Sequence, residues 1–212
     1  MDERPIRRAA SVVCARDASD GLEVLVVERS PESRFLPGYV AFPGGAVDDA
    51  DVTRAERWFR DGEEASRAAA IRELLEEAGV ALTSRGLVAA ESFVPIDDDP
   101  PGVGQLSPLC HWIAPPDVPV RFDARYFTAA ASGDAVVKPD AAEVVDAWWV
   151  SPRSLLDGWA AGERKLYWPT WLTVTELAAC ATVADVLALR FETRDPTAEE
   201  EASMPPHVME QV

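Results

Sequence analysis

The run from Arg72 to Val80, Arg-Glu-Leu-Leu-Glu-Glu-Ala-Gly-Val, constrains the fold of this chain more than any other stretch. At about 3.6 residues per turn it predicts a helix on which Glu73, Glu76 and Glu77 stand one above another on one face. The apolar side chains fall on the opposite face, which can therefore be buried in a core, and a glycine follows as a C-terminal stop. Such a helix presents three stacked carboxylates that repel one another by about 0.2–0.5 kcal/mol per pair.

Two interpretations of this acidic face are open from the helix alone. One is an ordinary solvated face of an amphipathic helix. The other is a metal site, because hard divalent cations bind clusters of carboxylate oxygens, and Mg²⁺ is usually held by carboxylates together with substrate phosphates. The upstream residues favour the metal site: Glu64 lies eight residues before Arg72, and the segment 42–45 reads Phe-Pro-Gly-Gly.

Together these residues resemble the signature of the Nudix hydrolases, G-x5-E-x7-R-E-U-x-E-E-x-G-U, in which U is aliphatic. Every position from Glu64 to Val80 fits, but eighteen residues, not five, separate Gly45 from Glu64. The resemblance implies an α/β protein with the Nudix fold, a mixed β-sheet in an α/β/α sandwich, and the strand and helix patterns of the chain are compatible with that class. We therefore expect one domain over residues 1–190, with an insert at 46–63 and an acidic tail at 191–212.

The resemblance also implies a metal centre and a catalytic chemistry. Glu73, Glu76 and Glu77 would form the shell for Mg²⁺ or Mn²⁺, with a backbone carbonyl of Gly44 as a further ligand. The reaction would be attack of water on the diphosphate that joins a nucleoside to another group, with the metal ions neutralising the phosphate oxygens. Which glutamate accepts the proton stays open.

Three further residues have candidate roles around this centre. By resemblance, Arg72 and Glu64 pair as a brace for the helix, although Asp61 and Glu64 also stand in a capping-box relation. Glu143 opens a predicted strand over residues 143–150, and some Nudix enzymes take a catalytic or metal-binding glutamate from this region. The alternative for Glu143 is a strand-end residue that faces water.

The spacing Arg29-Ser30-x3-Arg34-x3-Gly38-x3 before the segment 42–45 resembles a second signature, that of the coenzyme A diphosphatases. Val27 departs from it, because a threonine usually stands there. The resemblance implies coenzyme A as substrate, cleaved to 3′,5′-ADP and 4′-phosphopantetheine, with Arg29 and Arg34 as ligands of its acidic groups. The alternative is that both arginines are surface residues paired with nearby glutamates.

The formal net charge of −17 bounds the partners of this chain. A field of that sign repels nucleic acid and anionic membranes, so we expect neither as a partner. The three cysteines are widely spaced and the N-terminus has no apolar core of a signal peptide, which predicts a cytoplasmic protein with reduced thiols. The sequence leaves a homodimer open.

Two rival functions remain compatible with the motifs. A Nudix enzyme for ADP-ribose, NADH or another nucleoside diphosphate derivative would carry the same signature, because only the pocket distinguishes the substrates. A Nudix-like regulator that senses a ligand without cleaving it is disfavoured, because this chain keeps every signature carboxylate and has no basic DNA-binding appendage.

Overall fold

The computed structural model describes residues 6–33, 35–89, 96–114, 121–131, 136–139 and 144–204. The strands of this part of the chain are β1 Ile6–Ala18, β2 Gly21–Arg29, β3 Val40–Ala41, β4 Gly44–Ala46, β5 Val80–Thr83, β6 Gly86–Ala89, β7 Ser107–Ile113, β8 Arg121–Ala130 and β9 Val144–Val150. The helices are α1 Asp49–Phe59, α2 Ala65–Ala78, α3 Pro152–Ala160, α4 Trp168–Leu177, α5 Val183–Ala188 and α6 Ala198–Ser203.

One mixed sheet organises the described residues. Its main path runs β3-β2-β1-β8-β7, with β4 also paired to β1 and β9 also paired to β2. The β1–β8 pair is parallel, from Ile6 opposite Arg121 to Ala15 opposite Ala130, whereas the other pairs of this sheet are antiparallel. Strands β5 and β6 form a separate antiparallel hairpin directly after α2.

Helices cover both faces of this sheet. Successive side chains of a strand point to opposite sides, and in β1 both sets are apolar, so each face forms a core with the helices on its side. Ala10, Val12 and Cys14 of β1 pack on one side in a core that contains Ile71 and Leu74 of α2. The intervening residues of β1 pack on the other side with α3, α4 and α5, in a core that includes Val13, Ala15, Leu155, Val174 and Val186. The predicted α/β/α sandwich around a mixed sheet is therefore confirmed.

The insert at 46–63 forms α1, which packs on α2. Asp51 and Ala55 are fully buried, and Trp58 and Phe59 pack against the core beneath α2. The amphipathic sequence of the insert predicts a short helix laid over the core, and α1 is that helix. Because α1 covers α2, the second helix is buried on more than the one apolar side that its sequence predicts.

The C-terminal helical segment is broken. The apolar pattern predicts one helix over residues 170–189, but that prediction is wrong, since α4 ends at Leu177 and α5 begins at Val183. Thr182 caps α5 by accepting a hydrogen bond from the backbone N–H of Asp185 at 3.2 Å. No helix in the described ranges is long and apolar enough to cross a membrane.

Candidate active site

A glycine pair lies directly against the acidic face of α2. Gly44 and Gly45 belong to β4, which pairs with β1. The backbone N–H of Gly44 donates to Oε2 of Glu77 at 2.9 Å. A Cβ atom on Gly45 would lie 2.2 Å from Oε1 of Glu73, so only glycine lets the backbone approach this carboxylate so closely.

The three glutamates of α2 have different environments. Glu73 and Glu77 are buried, with 7% and 3% of their surface exposed, and they lie one turn apart beside the glycine pair. Glu76 is the outer member, with 53% of its side chain exposed. The structure therefore places two buried carboxylates beside the backbone of β4, and a third at the rim.

Arg72 holds the acidic face together. Its Nη1 donates to Oε1 of Glu73 and to Oε2 of Glu76, both at 2.8 Å, and its Nη2 donates to the carbonyl of Ala46 at 2.9 Å. Burial alone would lower the pKa of Arg72, but the hydrogen bonds and charges of Asp51, Glu73 and Glu76 outweigh it and raise that pKa. The guanidinium is a permanent cation between the carboxylates.

The main partner of Arg72 is Asp51, at the start of α1. Its carboxylate accepts from Nε of Arg72 at 3.1 Å and from Nη2 at 3.0 Å. Arg54 and the backbone N–H of Asp48 also donate to it, at 2.8 and 2.9 Å. Burial would raise the pKa of Asp51, but these hydrogen bonds and the charge of Arg72 lower it below the ordinary value.

The predicted pairing of Glu64 with Arg72 is wrong. Oε2 of Glu64 accepts from Nε of Arg67 at 2.6 Å, and Arg67 in turn lies over the ring of Phe127, 4.7 Å from its centroid. Arg67 is one helical turn from Glu64, whereas Arg72 lies about 12 Å along the helix axis, and α1 brings Asp51 to it instead. The capping box is not formed either, because Asp61 accepts from the N–H of Glu63, and Glu64 turns its carboxylate to Arg67.

The donor set suits a hard divalent cation that also binds phosphate. No group of three or more histidine, cysteine, aspartate or glutamate residues within the described ranges is already gathered as a metal cage. Glu73 is hydrogen-bonded to Arg72, and Glu77 to Gly44. Mg²⁺ is usually bound by one or two carboxylates plus substrate phosphates, and two buried carboxylates beside a close backbone segment fit that requirement.

Arg29 lies at the end of β2, and its hydrogen bonds connect the two ends of the loop that carries the coenzyme A diphosphatase signature. Its backbone N–H donates to the carbonyl of Tyr39 at 2.9 Å, and its Nε donates to the carbonyl of Phe35 at 3.0 Å. The alternative pairing with the adjacent glutamate is wrong for Arg29, because Glu28 pairs with Arg164 at 2.8 Å. Arg34 lies outside the described residues.

The predicted role of Glu143 also remains a prediction, since Glu143 lies outside the described residues. The next residue, Val144, is fully buried and stands opposite Arg29 in the β2–β9 pair.

A cleft of about 490 Å³ opens beside the Arg29 loop. The loop residues Pro31, Pro37 and Gly38 line one part of it, and Arg164 and Lys165 line another. Nζ of Lys165 lies 6.0 Å from the centroid of the Tyr39 ring, and Lys165 has no ion pair among the described residues. Glu28 and Glu163 line the cleft as well, and Arg164 is paired with Glu28, so Lys165 is the cation of the lining that is left to meet an anionic ligand.

Asp51 and Arg54 are the site residues that sequence reasoning missed. The available signal was the pair Asp48 and Asp51 at the start of a predicted amphipathic helix, which reads as helix capping. Their partner Arg72 lies about twenty residues further on, and no local pattern reports a contact at that distance.

Comparisons with known proteins relate this chain to a described family. A family model described as the NUDIX domain matches residues 5–168. The chain is 27% identical to the Caenorhabditis elegans protein described as putative nudix hydrolase 7, over 81% of this chain and 60% of that protein. It is 26% identical to human acyl-coenzyme A diphosphatase NUDT19, over 85% of this chain and 70% of the human protein. The chain thus spans less than two thirds of the worm relative's length.

A solved structure extends this likeness to the fold. The crystal structure of a NUDIX hydrolase from Alicyclobacillus acidocaldarius superposes with a TM-score of 0.73 at 28% sequence identity. The superposition covers 91% of this chain and 99% of that one.

Proposed function

This chain belongs to the Nudix family, and on that premise we propose that it is a pyrophosphohydrolase that cleaves the diphosphate of coenzyme A or of an acyl-coenzyme A. The oxygen of water bonds to one phosphorus and the bridging P–O bond breaks. The products are 3′,5′-ADP and 4′-phosphopantetheine or its acylated form. The human relative's description as an acyl-coenzyme A diphosphatase supports this choice of substrate.

The observation that carries the proposal is the path of the chain from Arg29 to Gly45. At one end it borders the cleft that holds Arg164 and Lys165. At the other end it becomes the glycine pair beside the buried carboxylates. Val40 in the cleft and Gly44 are four residues apart, so at most about 14 Å separates them. That distance is within the length of one extended substrate, which in this proposal contacts both places.

The residues divide the work of the reaction in this proposal. When bound, Mg²⁺ or Mn²⁺ ions neutralise the phosphate oxygens and activate the attacking water. Glu73 and Glu77 would hold the cations with the carbonyl of Gly44, and Glu76 would join them from the rim. A carboxylate of this set or Glu143 would accept the proton of the attacking water.

In this proposal cationic side chains bind the remainder of the substrate. Arg29, Arg34 and Lys165 would contact its acidic groups, since arginine and lysine form charge-assisted hydrogen bonds with phosphate. Such contacts offset the repulsion that the net charge of −17 exerts on an anionic substrate.

A substrate panel with Mg²⁺ tests the proposal. We expect kcat/KM for coenzyme A or an acyl-coenzyme A to exceed that for ADP-ribose and NADH by at least about tenfold, or about 1.4 kcal/mol of differential transition-state binding. Chromatography should identify 3′,5′-ADP as a product. A higher kcat/KM for ADP-ribose or NADH would overturn the choice of substrate while leaving the pyrophosphohydrolase in place.

A further inference from the structure

We propose that Asp51, a residue of the insert, is a positioning residue of the site. It orients Arg72 and weakens the hold of Arg72 on Glu73 and Glu76, so that cations can compete for these two glutamates. Asp51 forms the ion pair with Arg72 that the signature pattern assigns to Glu64. The inference rests on the proposed function, because it assumes that the acidic face of α2 binds divalent cations.

The hydrogen-bonding capacity of the Asp51 carboxylate is fully used within the protein. Its side chain has no exposed surface. Its two oxygens accept four hydrogen bonds, two from Arg72, one from Arg54 and one from the N–H of Asp48. A carboxylate offers about four acceptor sites, so Asp51 has none left for water or for a cation. Its function is therefore exerted through its partners.

Arg72 is committed in the same way. A guanidinium carries five N–H donors in a rigid plane. Two bond to Asp51, one to the carbonyl of Ala46, one to Glu73 and one to Glu76. Because the group is planar, the two-point contact with Asp51 fixes the direction in which Nη1 meets the two glutamates.

The charges give Asp51 a second effect on the same site. Arg72 competes with a bound cation for Glu73 and Glu76, since both attract these carboxylates. Asp51 supplies a compensating negative charge on the other edge of the guanidinium, 3.0 Å from Nη2. Without that charge Arg72 would draw the two glutamates more strongly, and the cations would bind more weakly.

The insert holds Asp51 in place. Near the other end of α1, Nε1 of Trp58 donates to Oδ1 of Asp97 at 2.7 Å, and Arg57 pairs with the same carboxylate. Between these contacts Ala55 is fully buried. Helix α1 is thus fixed at both ends. The insert therefore has a structural role: it carries Asp51 to Arg72.

The test compares carboxyl-to-amide variants by Mn²⁺ binding, measured by electron paramagnetic resonance, and by steady-state kinetics. Asp51→Asn should weaken Mn²⁺ binding and lower kcat about tenfold or more, as loss of a group behind metal ligands does. KM at saturating metal should change less than about threefold, because Asp51 does not touch the substrate. Wild-type Mn²⁺ affinity in a folded Asp51→Asn protein would overturn the inference.

Two comparisons separate position from general charge loss. Asp49→Asn removes an exposed carboxylate from the same turn of α1 and should keep wild-type Mn²⁺ affinity. Glu64→Gln should lose less Mn²⁺ affinity than Asp51→Asn, and the reverse order would return the brace to Glu64. The Mn²⁺ readout needs no substrate, so it remains informative if the proposed substrate is wrong.

A double variant covers the case in which Asp51→Asn does not fold. Asp51→Asn combined with Arg72→Gln removes both charges of the pair, which costs less stability than leaving the charge of one partner without the other. If Asp51 acts through Arg72, the double variant binds Mn²⁺ as Arg72→Gln alone does. A further loss of affinity in the double variant would contradict action through Arg72.

Discussion

Gly45 is the residue at which the backbone of β4 lies against the carboxylate of Glu73. A Cβ there would lie 2.2 Å from Oε1 and 2.5 Å from Cδ of Glu73. The obstacle is the end of a flexible side chain, so the fold can accept Gly45→Ala by moving the carboxylate. We expect near-wild-type thermal stability with a loss of kcat and Mn²⁺ affinity of about tenfold or more.

Gly104→Ala is the control for that experiment, because its methyl group lies in open space and both activity and stability should be retained. Gly44→Ala is a comparison: its Cβ meets backbone, 2.5 Å from the carbonyl oxygen of Ala10, so it should lower the melting temperature as well as the activity. A Gly45→Ala protein with unchanged kcat would show that the position of Glu73 does not matter for the reaction.

Lys165 tests the cleft at the same scale. If its ammonium binds the 3′-phosphate of coenzyme A, Lys165→Gln should raise KM for coenzyme A by about ten- to a hundredfold, the equivalent of about 1.5–3 kcal/mol for a charge-assisted hydrogen bond. KM for dephospho-coenzyme A should stay the same. Arg153→Gln, which removes an exposed cation at the start of α3, is the matched control. Equal changes for both substrates would remove Lys165 from the 3′-phosphate site.

At the scale of elements, α1 depends on two ion pairs of very different burial. Asp97 is 47% exposed and Arg57 is 58% exposed, whereas Asp51 is fully buried. Removing an exposed pair costs about 0.2–1 kcal/mol. Removing one partner of a buried pair costs about 3–5 kcal/mol, and the low end applies here because Arg72 keeps two other carboxylates.

We therefore expect Asp97→Ala to lower the free energy of unfolding by at most about 1 kcal/mol and Asp51→Ala by about 3 kcal/mol. Chemical denaturation of both variants measures the difference, with Asp49→Ala as the control for a surface carboxylate on α1. Equal losses for Asp97→Ala and Asp51→Ala would contradict the larger contribution expected from the more deeply buried ion pair.

Some of these helices and strands could be predicted from the sequence and others could not. Helix α2 and its acidic face were predictable, because periodicity and the signature residues agree over the same stretch. The strands β3 and β4 were not, since two or three residues are too few for an alternation pattern. The break between α4 and α5 was missed because the apolar period continues across residues 178–182 while Thr182 starts a new helix.

The brace was the largest error at the site, and its cause is physical. The signature fixes the spacing of Glu64 and Arg72 along the chain, but the insert adds a helix whose buried Asp51 reaches Arg72 first. Which acidic group meets an arginine depends on the packing of α1 on α2, and packing of this kind is a tertiary property. Residue types at the site were therefore predictable, but their pairing was not.

At the scale of the whole molecule, the proposed function requires a strongly acidic chain to bind an anionic diphosphate. The formal charge of −17 opposes that binding. The acidic face of α2 repels phosphate. It can bind phosphate only when divalent cations lie between its carboxylate oxygens and the phosphate oxygens of the substrate. Metal dependence is consequently the claim on which the rest of the account depends.

The most direct test of that claim measures coenzyme A hydrolysis after removal of metal with EDTA and again after addition of excess Mg²⁺, for the wild-type protein and for Glu77→Gln. We expect turnover to disappear in EDTA and to return with Mg²⁺. With Mg²⁺, Glu77→Gln should have a kcat at least about a hundredfold lower, about 2.7 kcal/mol of transition-state stabilisation. Undiminished turnover in excess EDTA, or a wild-type kcat for Glu77→Gln, would contradict it.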